Sequence, residues 1–439
     1  MATLSEIASC VGGYDPDALA VEAARDFIAR LVTPVATVET LAIRAALGRV
    51  LARDIVSSID VPAADNSAMD GYALSSADLA AAGPSVLRTV GTGYAGQRYG
   101  GTPQPGECVR IMTGAVMPAG LDTVVPQEFA QIEGDRVTLP AGVVGAGDNR
   151  RRAGEDLARG EIALARGRIL RPADIGLLAS LGQAEVPVFR RLRVAFFSTG
   201  DELRSLGQPL EPGCVYDSNR YTLWAMLQRL GVDLLDLGVV RDDPVALADT
   251  FRLAAASADA VITSGGVSVG EADHTKQVMA RLGDVLFWRI AMRPGRPMAI
   301  GRIGGGAAGS DRPEAASSEE GRRAILFGLP GNPVAVMVTF YAFVRDALLA
   351  MAGSTGEPLP MLRAASVAPI RKRPGRTEYQ RGIVRRGDDG GWQVALTGAQ
   401  GSGILRSMSQ ANGLVVLHHE QGNVAAGEAV DVLPFDGLV

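Results

Sequence analysis

Between residues 188 and 352 the chain repeats one pattern: a short apolar run suited to a strand, then a longer run with helical spacing. RLRVAFFST precedes NRYTLWAMLQRLG, and VDLLDLGVV precedes PVALADTFRLAAASA. ADAVITSGG precedes ADHTKQVMARLG, and RRAILFGLPG precedes NPVAVMVTFYAFVRDALLAMAG. Strand and helix in alternation predict a parallel sheet covered on both faces. Ligands of such sheets sit at the carboxyl ends of the strands. Functional residues are therefore expected in the turns that follow each strand.

The flanking segments differ in texture. Residues 14–55 carry helical apolar spacing in VEAARDFIARL and VETLAIRAALGRVLARD, and residues 149–187 return to helix with PADIGLLASLG. The two stretches are expected to form one discontinuous helical domain. Residues 56–148, rich in Gly, Pro, Val and Thr, read as a β-rich insert. Residues 360–439 show no convincing helix, and VRRGDDGGWQVALTG reads as a hairpin, so a small C-terminal β barrel or sandwich is expected, the barrel being preferred. Within the α/β region, the small and polar run at 302–323 is expected to be a disordered loop between two strands. The fold class is thus multidomain, α/β and β.

Bulk properties exclude several functions. A chain of 439 residues suggests several domains. Its net charge of −5 argues against nucleic acid as the main partner. No long run free of charged and polar breaks is seen, so no membrane span is expected. The N-terminus lacks the features of a signal peptide. Cys10, Cys108 and Cys214 are dispersed and odd in number, which points to a reducing, cytoplasmic setting without a thiolate metal site. His418 and His419 adjoin in a strand-like segment, where neighbours face opposite ways, so a shared metal is disfavoured.

Three turns carry the chemistry: STGDEL, SGGVSVGEAD and GLPGNP. Their glycines allow backbone amides to approach an anion, and the next helix adds partial positive charge. In the third, Asn332 suits an N-cap and Pro333 the first helical position. Carboxylates share these strand ends: Asp201, Glu202, Asp242, Asp243, Glu271 and Asp273. Carboxylates beside phosphate need a cation between them, and a hard divalent ion, Mg²⁺, fits. Asp201, Asp243 and Glu271 are equally explained as helix caps or dipole partners. In AMRPGRPMAIG, Arg293 and Arg296 on a proline-stiffened loop suit a tetrahedral oxyanion. Outside the sheet, DVPAADNSAMDGYAL gathers Asp65, Asn66, Ser67 and Asp70, RIMTGA adds Thr113, and Arg150 to Arg152 are consecutive before a presumptive helix.

Taken together, DNSAMDGYA, RIMTGA, RRAGED, FSTGDEL, YDSNR, SGGVSVGEAD and GLPGNP resemble, in order and over nearly the whole chain, the molybdopterin molybdenumtransferase family of bacterial MoeA and the gephyrin E domain. The resemblance implies a four-domain homodimer whose α/β domain is a three-layer molybdopterin-binding domain. It implies Mg²⁺-dependent conversion of adenylylated molybdopterin and molybdate to molybdenum cofactor and AMP. The cleft would lie between the α/β domain of one subunit and the β insert of the other. By motif, Asp70, Thr113, Glu202, Asp242 and Asp273 would be catalytic, the last three also near the metal. Ser264, Gly265, Gly266, Ser268, Pro330, Gly331, Asn332 and Pro333 would hold the pterin substrate. Arg293, Arg296, Pro297, Arg381 and Ser407 would form the molybdate pocket. The adenylyltransferase that makes the substrate, and the molybdoenzymes that receive the product, are the implied protein partners.

Two departures from the family pattern stand out. Arg293 and Arg296 replace the usual lysines, which keeps the charge and changes the donor geometry. Ala335 replaces a frequent serine, at the cost of one hydrogen bond if that serine meets an oxyanion, about 0.5–1.5 kcal/mol. Two other readings compete. A molybdopterin adenylyltransferase would need little beyond the α/β domain, and a gephyrin-like scaffold would need a fused partner domain.

Overall fold

The computed structural model describes residues 2–267, 274–304, 323–356 and 359–435. Helix α1 (Leu4–Ser9) starts with a capping box: the Glu6 N–H donates to Thr3 Oγ1, and the Thr3 N–H donates to the Glu6 carboxylate. Helix α2 (Val21–Leu31) buries Val21, Ala24, Phe27, Ile28 and Leu31, the stripe its sequence spacing predicts. That stripe packs into the core of the α/β unit, with Phe27 edge-on to Trp288 at 5.0 Å. It does not join residues 149–187, contrary to expectation.

The helix expected over 38–54 is not formed. Strand β1 (Val38–Ala42) and a single 3-10 turn at Ile43–Ala45 take its place. The chain then enters the insert, a six-stranded sheet. Its strands run in the order Thr123–Pro126, Gly71–Leu74, Glu107–Ile111, Ser85–Gly93, Arg136–Leu139, Gln131–Glu133. The arginine run does not precede a helix: Arg150 and Arg151 pair with Ser67 and Asn66 in a two-residue ladder. On return the chain forms helix α3 (Pro172–Ser180) and strand β2 (Glu185–Phe189), which pairs antiparallel with β1. This long-range pairing explains the misread helix. Leu51 and Ile55 are buried against Leu164, Leu178, Val186 and Val188, a gain that outweighs weak local helix propensity.

The α/β unit contains β3 (Arg193–Thr199), α4 (Ser218–Arg229), β4 (Asp233–Val240), α5 (Pro244–Ser257), β5 (Ala260–Ser264) and α6 (His274–Leu282). It continues with β6 (Gly283–Arg289), β7 (Met292–Arg293), β8 (Pro297–Gly304), β9 (Arg323–Leu329), α7 (Pro333–Thr339) and α8 (Arg345–Met351). The six-stranded sheet has the order β4-β3-β5-β9-β8-β6. Strands β3, β4, β5 and β9 are parallel, as predicted, whereas β8 runs antiparallel to both β9 and β6. The reason is connection length. A parallel crossover needs about a dozen residues or more, and 290–296 is too short to supply one. Residues 302–304 and Arg323, expected in the polar loop, are strand residues, and the remainder of that loop, 305–322, lies outside the described residues.

Helices α7 and α8 are joined without a break by a π turn at Phe340–Val344. The combined Pro333–Met351 helix is long and apolar enough to cross a membrane by length and composition, although Arg345 and Asp346 interrupt it. Two thirds of it is buried within the fold, against β9, α2 and α4. It is the core helix of the α/β unit.

The C-terminal strands are β10 (Leu362–Ser366), β11 (Thr377–Arg386), β12 (Trp392–Leu396), β13 (Gly413–Leu417) and β14 (Ala429–Pro434). They close a five-stranded barrel in the order β11-β12-β10-β14-β13, with β13 returning to β11. The predicted hairpin is β11–β12. One short helix, α9 (Leu405–Gln410), was not expected, because six residues are too few to show a helical period. Strand β7 pairs in parallel with the start of β11 and so ties the barrel to the α/β unit. His418 and His419 lie just past β13, where the His418 ring meets Asp431 at 2.7 Å.

Candidate active site

The three turns meet at the carboxyl ends of β3, β5 and β9. Their closeness depends on glycine. Gly265 has φ +97°, and a Cβ there would stand 2.5 Å from the Thr199 carbonyl oxygen. Gly266 has φ +65°, and a Cβ there would strike Thr275. Asn219, in the first turn of α4, joins the second and third turns: its amide donates to Ser264 Oγ at 2.9 Å and to the Gly331 carbonyl at 2.7 Å.

These turns wall a cavity of about 860 Å³. Glu202 and Asp242 line it from the β3 and β4 ends. The Thr199 hydroxyl donates to the Asp242 carboxylate, and the Asp242 N–H donates to Asp201. Arg293 and Arg296 line the opposite side. Between them Gly295 has φ +98°, and a Cβ there would lie 2.5 Å from Thr339 Oγ1, so the arginine loop is pressed onto the core helix. The barrel completes the wall with Arg376 and with Gln400, Gly401 and Ser402. The Val334 N–H, in the first turn of α7, donates to the Ser402 carbonyl at 3.1 Å. One amide expected to face an anion is thus taken by the barrel loop.

Most of the expected residues converge here: Glu202, Asp242, Ser264, Gly265, Gly266, Arg293, Arg296, Pro297, Pro330, Gly331 and Asn332 all line the cavity. Pro333 starts α7 immediately behind them. Asp243 is the N-cap of α5, accepting from the Ala246 N–H, as the capping reading proposed. Ser268, Glu271 and Asp273 lie outside the described residues.

Arg381 and Ser407 do not line the cavity; both are buried behind its wall. Arg381 Nε donates to Ser407 Oγ at 3.0 Å, and its Nη2 donates to the carbonyls of Ala399 and Gly401. Burial and then the nearby Arg293 lower its pKa. Its geometry supports the loop that bears Gln400, Gly401 and Ser402. Asp70 and Thr113 are also off the cavity, on the insert. The Thr113 N–H and hydroxyl donate to one Asp70 oxygen at 2.6 and 2.7 Å, which holds this exposed carboxyl below its usual range.

Sequence reasoning missed Asn219, His274, Arg376 and Ser402. Asn219 stood inside YDSNR, a motif noted without a role. Ser402 had a weaker signal, a glycine on each side.

Comparison with known proteins decides the family. Residues 19–182 match the model "MoeA N-terminal region (domain I and II)", 195–350 match "Probable molybdopterin binding domain", and 363–435 match "MoeA C-terminal region (domain IV)". The molybdopterin molybdenumtransferase of Haemophilus influenzae is 39% identical over 402 residues, covering 91% of this chain and 95% of that protein. That of Nostoc is 38% identical over 397 residues, covering 89% and 87%. The chain belongs to the molybdopterin molybdenumtransferase family. A solved molybdopterin biosynthesis MoeA protein from Pyrococcus horikoshii aligns with a TM-score of 0.80 at 26% identity, over 95% of this chain and all of that one. The family's middle region coincides with the mixed sheet that carries the cavity, and its C-terminal region with the barrel that completes the wall.

Proposed function

We propose that the chain transfers molybdate to the dithiolene of adenylylated molybdopterin and releases AMP. The observation that carries this reading is one cavity holding two cationic guanidiniums opposite two carboxylates, at the carboxyl ends of parallel strands. Molybdate is a dianion and the dithiolene is negative, so their approach is repulsive. Arg293 and Arg296 lower that repulsion from fixed positions. The glycine turns present backbone donors to the phosphoryl groups. Matches on both flanks of the α/β unit favour this reading over the adenylyltransferase or a scaffold.

Glu202 and Asp242 suit Mg²⁺ as oxygen donors. Both line the cavity, which suits an ion that keeps several waters and takes one or two carboxylates. Asp273 would complete the set by its motif. When bound, the ion would neutralise charge on the phosphoanhydride as AMP departs. Thr199 and the Asp242 amide bond keep the Asp242 carboxylate aimed into the cavity.

Asp70 and Thr113 lie off this chain's cavity, and the catalytic use that their motifs imply is in keeping with a two-fold homodimer whose clefts are shared between copies. The adenylyltransferase would supply the substrate and molybdoenzymes would take the product. A cytoplasmic location belongs to the same reading, from the three dispersed cysteines of the sequence. The test is incubation with adenylylated molybdopterin, molybdate and Mg²⁺. AMP and active cofactor should appear together and only when molybdate is present; consumption of ATP instead would overturn the assignment.

A further inference from the structure

We propose that Arg376, presented by the barrel, binds a phosphoryl oxygen of the organic substrate, and that Glu378 is the positioning residue that sets its guanidinium plane. This rests on the substrate reading above. Arg376 lines the cavity with 40% of its side chain exposed. It immediately precedes β11, whose first residues pair with the arginine loop: Thr377 with Met292, and Glu378 with Arg293. The ladder therefore delivers Arg376 beside Arg293.

The Glu378 side chain is only 4% exposed. One of its oxygens accepts from Arg376 Nε at 2.9 Å and Nη2 at 2.7 Å. The other accepts from Gln380 Nε2 at 3.0 Å. Residues 376, 378 and 380 share one face of the strand, so each fixes the next. A buried carboxylate is costly unless paired, and here it is bonded to Arg376 on one oxygen and to Gln380 on the other. The bonds to Glu378 use Nε and Nη2. The remaining edge, with Nη1 and the second Nη2 hydrogen, is directed elsewhere and can meet two oxygens of one tetrahedral group.

The choice of a phosphoryl group over molybdate follows from charge. Arg293 and Arg296 form no ion pair among the described residues, so their full charge faces the cavity and suits a small dianion. Arg376 is already neutralised by Glu378. It adds directed hydrogen bonds and little net field, which suits a singly charged phosphoryl oxygen that must be placed. A cavity of about 860 Å³ also far exceeds what one tetrahedral oxyanion fills.

The test measures KM for adenylylated molybdopterin and for molybdate separately, by AMP release, with melting recorded for each variant. Arg376→Ala alone would strand a buried charge, so the main variant is Arg376→Ala with Glu378→Gln, which removes both charges. KM for the adenylylated pterin should rise at least tenfold, with kcat and the molybdate KM within about twofold of wild type. Glu378→Gln alone should raise the same KM by less, because the guanidinium remains but its plane is no longer held. An unchanged pterin KM, or a shift confined to molybdate, would overturn the proposal. If the double variant does not fold, Arg376→Lys gives the same two constants, since lysine keeps the charge and loses the fork. Failure of wild type to release AMP would instead strike the proposed reaction itself.

Discussion

Asn219→Ala isolates the side chain that joins two of the anion-facing turns. The substitution removes two buried hydrogen bonds, one to Ser264 Oγ and one to the Gly331 carbonyl. Each is worth about 1 kcal/mol, and a buried acceptor left bare costs about 1–3 kcal/mol more. Ser264 Oγ also reaches the Pro330 carbonyl at 3.4 Å, so its hydroxyl keeps a partner, whereas the Gly331 carbonyl loses its donor. The sum is about 3–5 kcal/mol in the α/β unit. At about 2–4 °C per kcal/mol for a unit of this size, its melting transition should fall by roughly 6–20 °C. The chemical consequence is separate: Gly331 and Ser264 would no longer be held in register, so KM for the pterin should rise. Asn219→Asp gives a sharper sign. Its carboxylate can accept from Ser264 but opposes the Gly331 carbonyl, so at neutral pH it should be at least as damaging as alanine. Protonation restores a donor, so the Asp variant should regain melting temperature towards pH 4 relative to the Ala variant. Calorimetry of both variants with AMP-release kinetics checks this. An alanine variant that melts within 2 °C of wild type with an unaltered pterin KM would refute the reasoning.

Three further outcomes are expected. Arg293→Ala and Arg296→Ala should each weaken molybdate use more than pterin use, read as a raised molybdate KM; failure of excess molybdate to restore any rate would sink the oxyanion clamp. Equal amounts of inactive Asp70→Asn and Asp242→Asn dimers, once tagged subunits have exchanged, should recover activity at roughly a quarter of all sites, because mixed dimers each contain one intact cleft; confirmed exchange without recovery would exclude the shared cleft. Asp174 is buried at the start of α3; burial raises its pKa, but the Arg168 ion pair at 2.9 Å and the Arg171 N–H outweigh that and hold it lowered. A lowered pKa stabilises the fold above the unfolded value of about 3.9 and loses that stability as pH falls through the folded value. Asp174→Asn should therefore lower the melting temperature at pH 7, with the gap to wild type narrowing as the medium is acidified below about pH 4.

The α/β unit and the residues of its turns were legible without coordinates because both follow from local physics. A strand and its helix each announce themselves by period, and the SGG turn and the RPGRP loop signal backbone that suits glycine and proline at those places. The glycines at 265, 266 and 295 bear this out, each at positive φ with a neighbour where a side chain would stand. What remained hidden depended on partners distant in sequence. VETLA has acceptable helical spacing, and only Val186 and Val188, roughly 145 residues on, make it a strand. Arg381 was expected in the molybdate pocket from its family motif, which does not reveal burial; the tertiary structure uses its donors on Ser407, Ala399 and Gly401. Ser402 and Arg376 enter the site only because β7 pairs with β11 and brings the barrel against the arginine loop. Local sequence thus determined the chemistry available at each strand end. The long-range pairing of strands, which no local period encodes, decided which of those groups face one cavity.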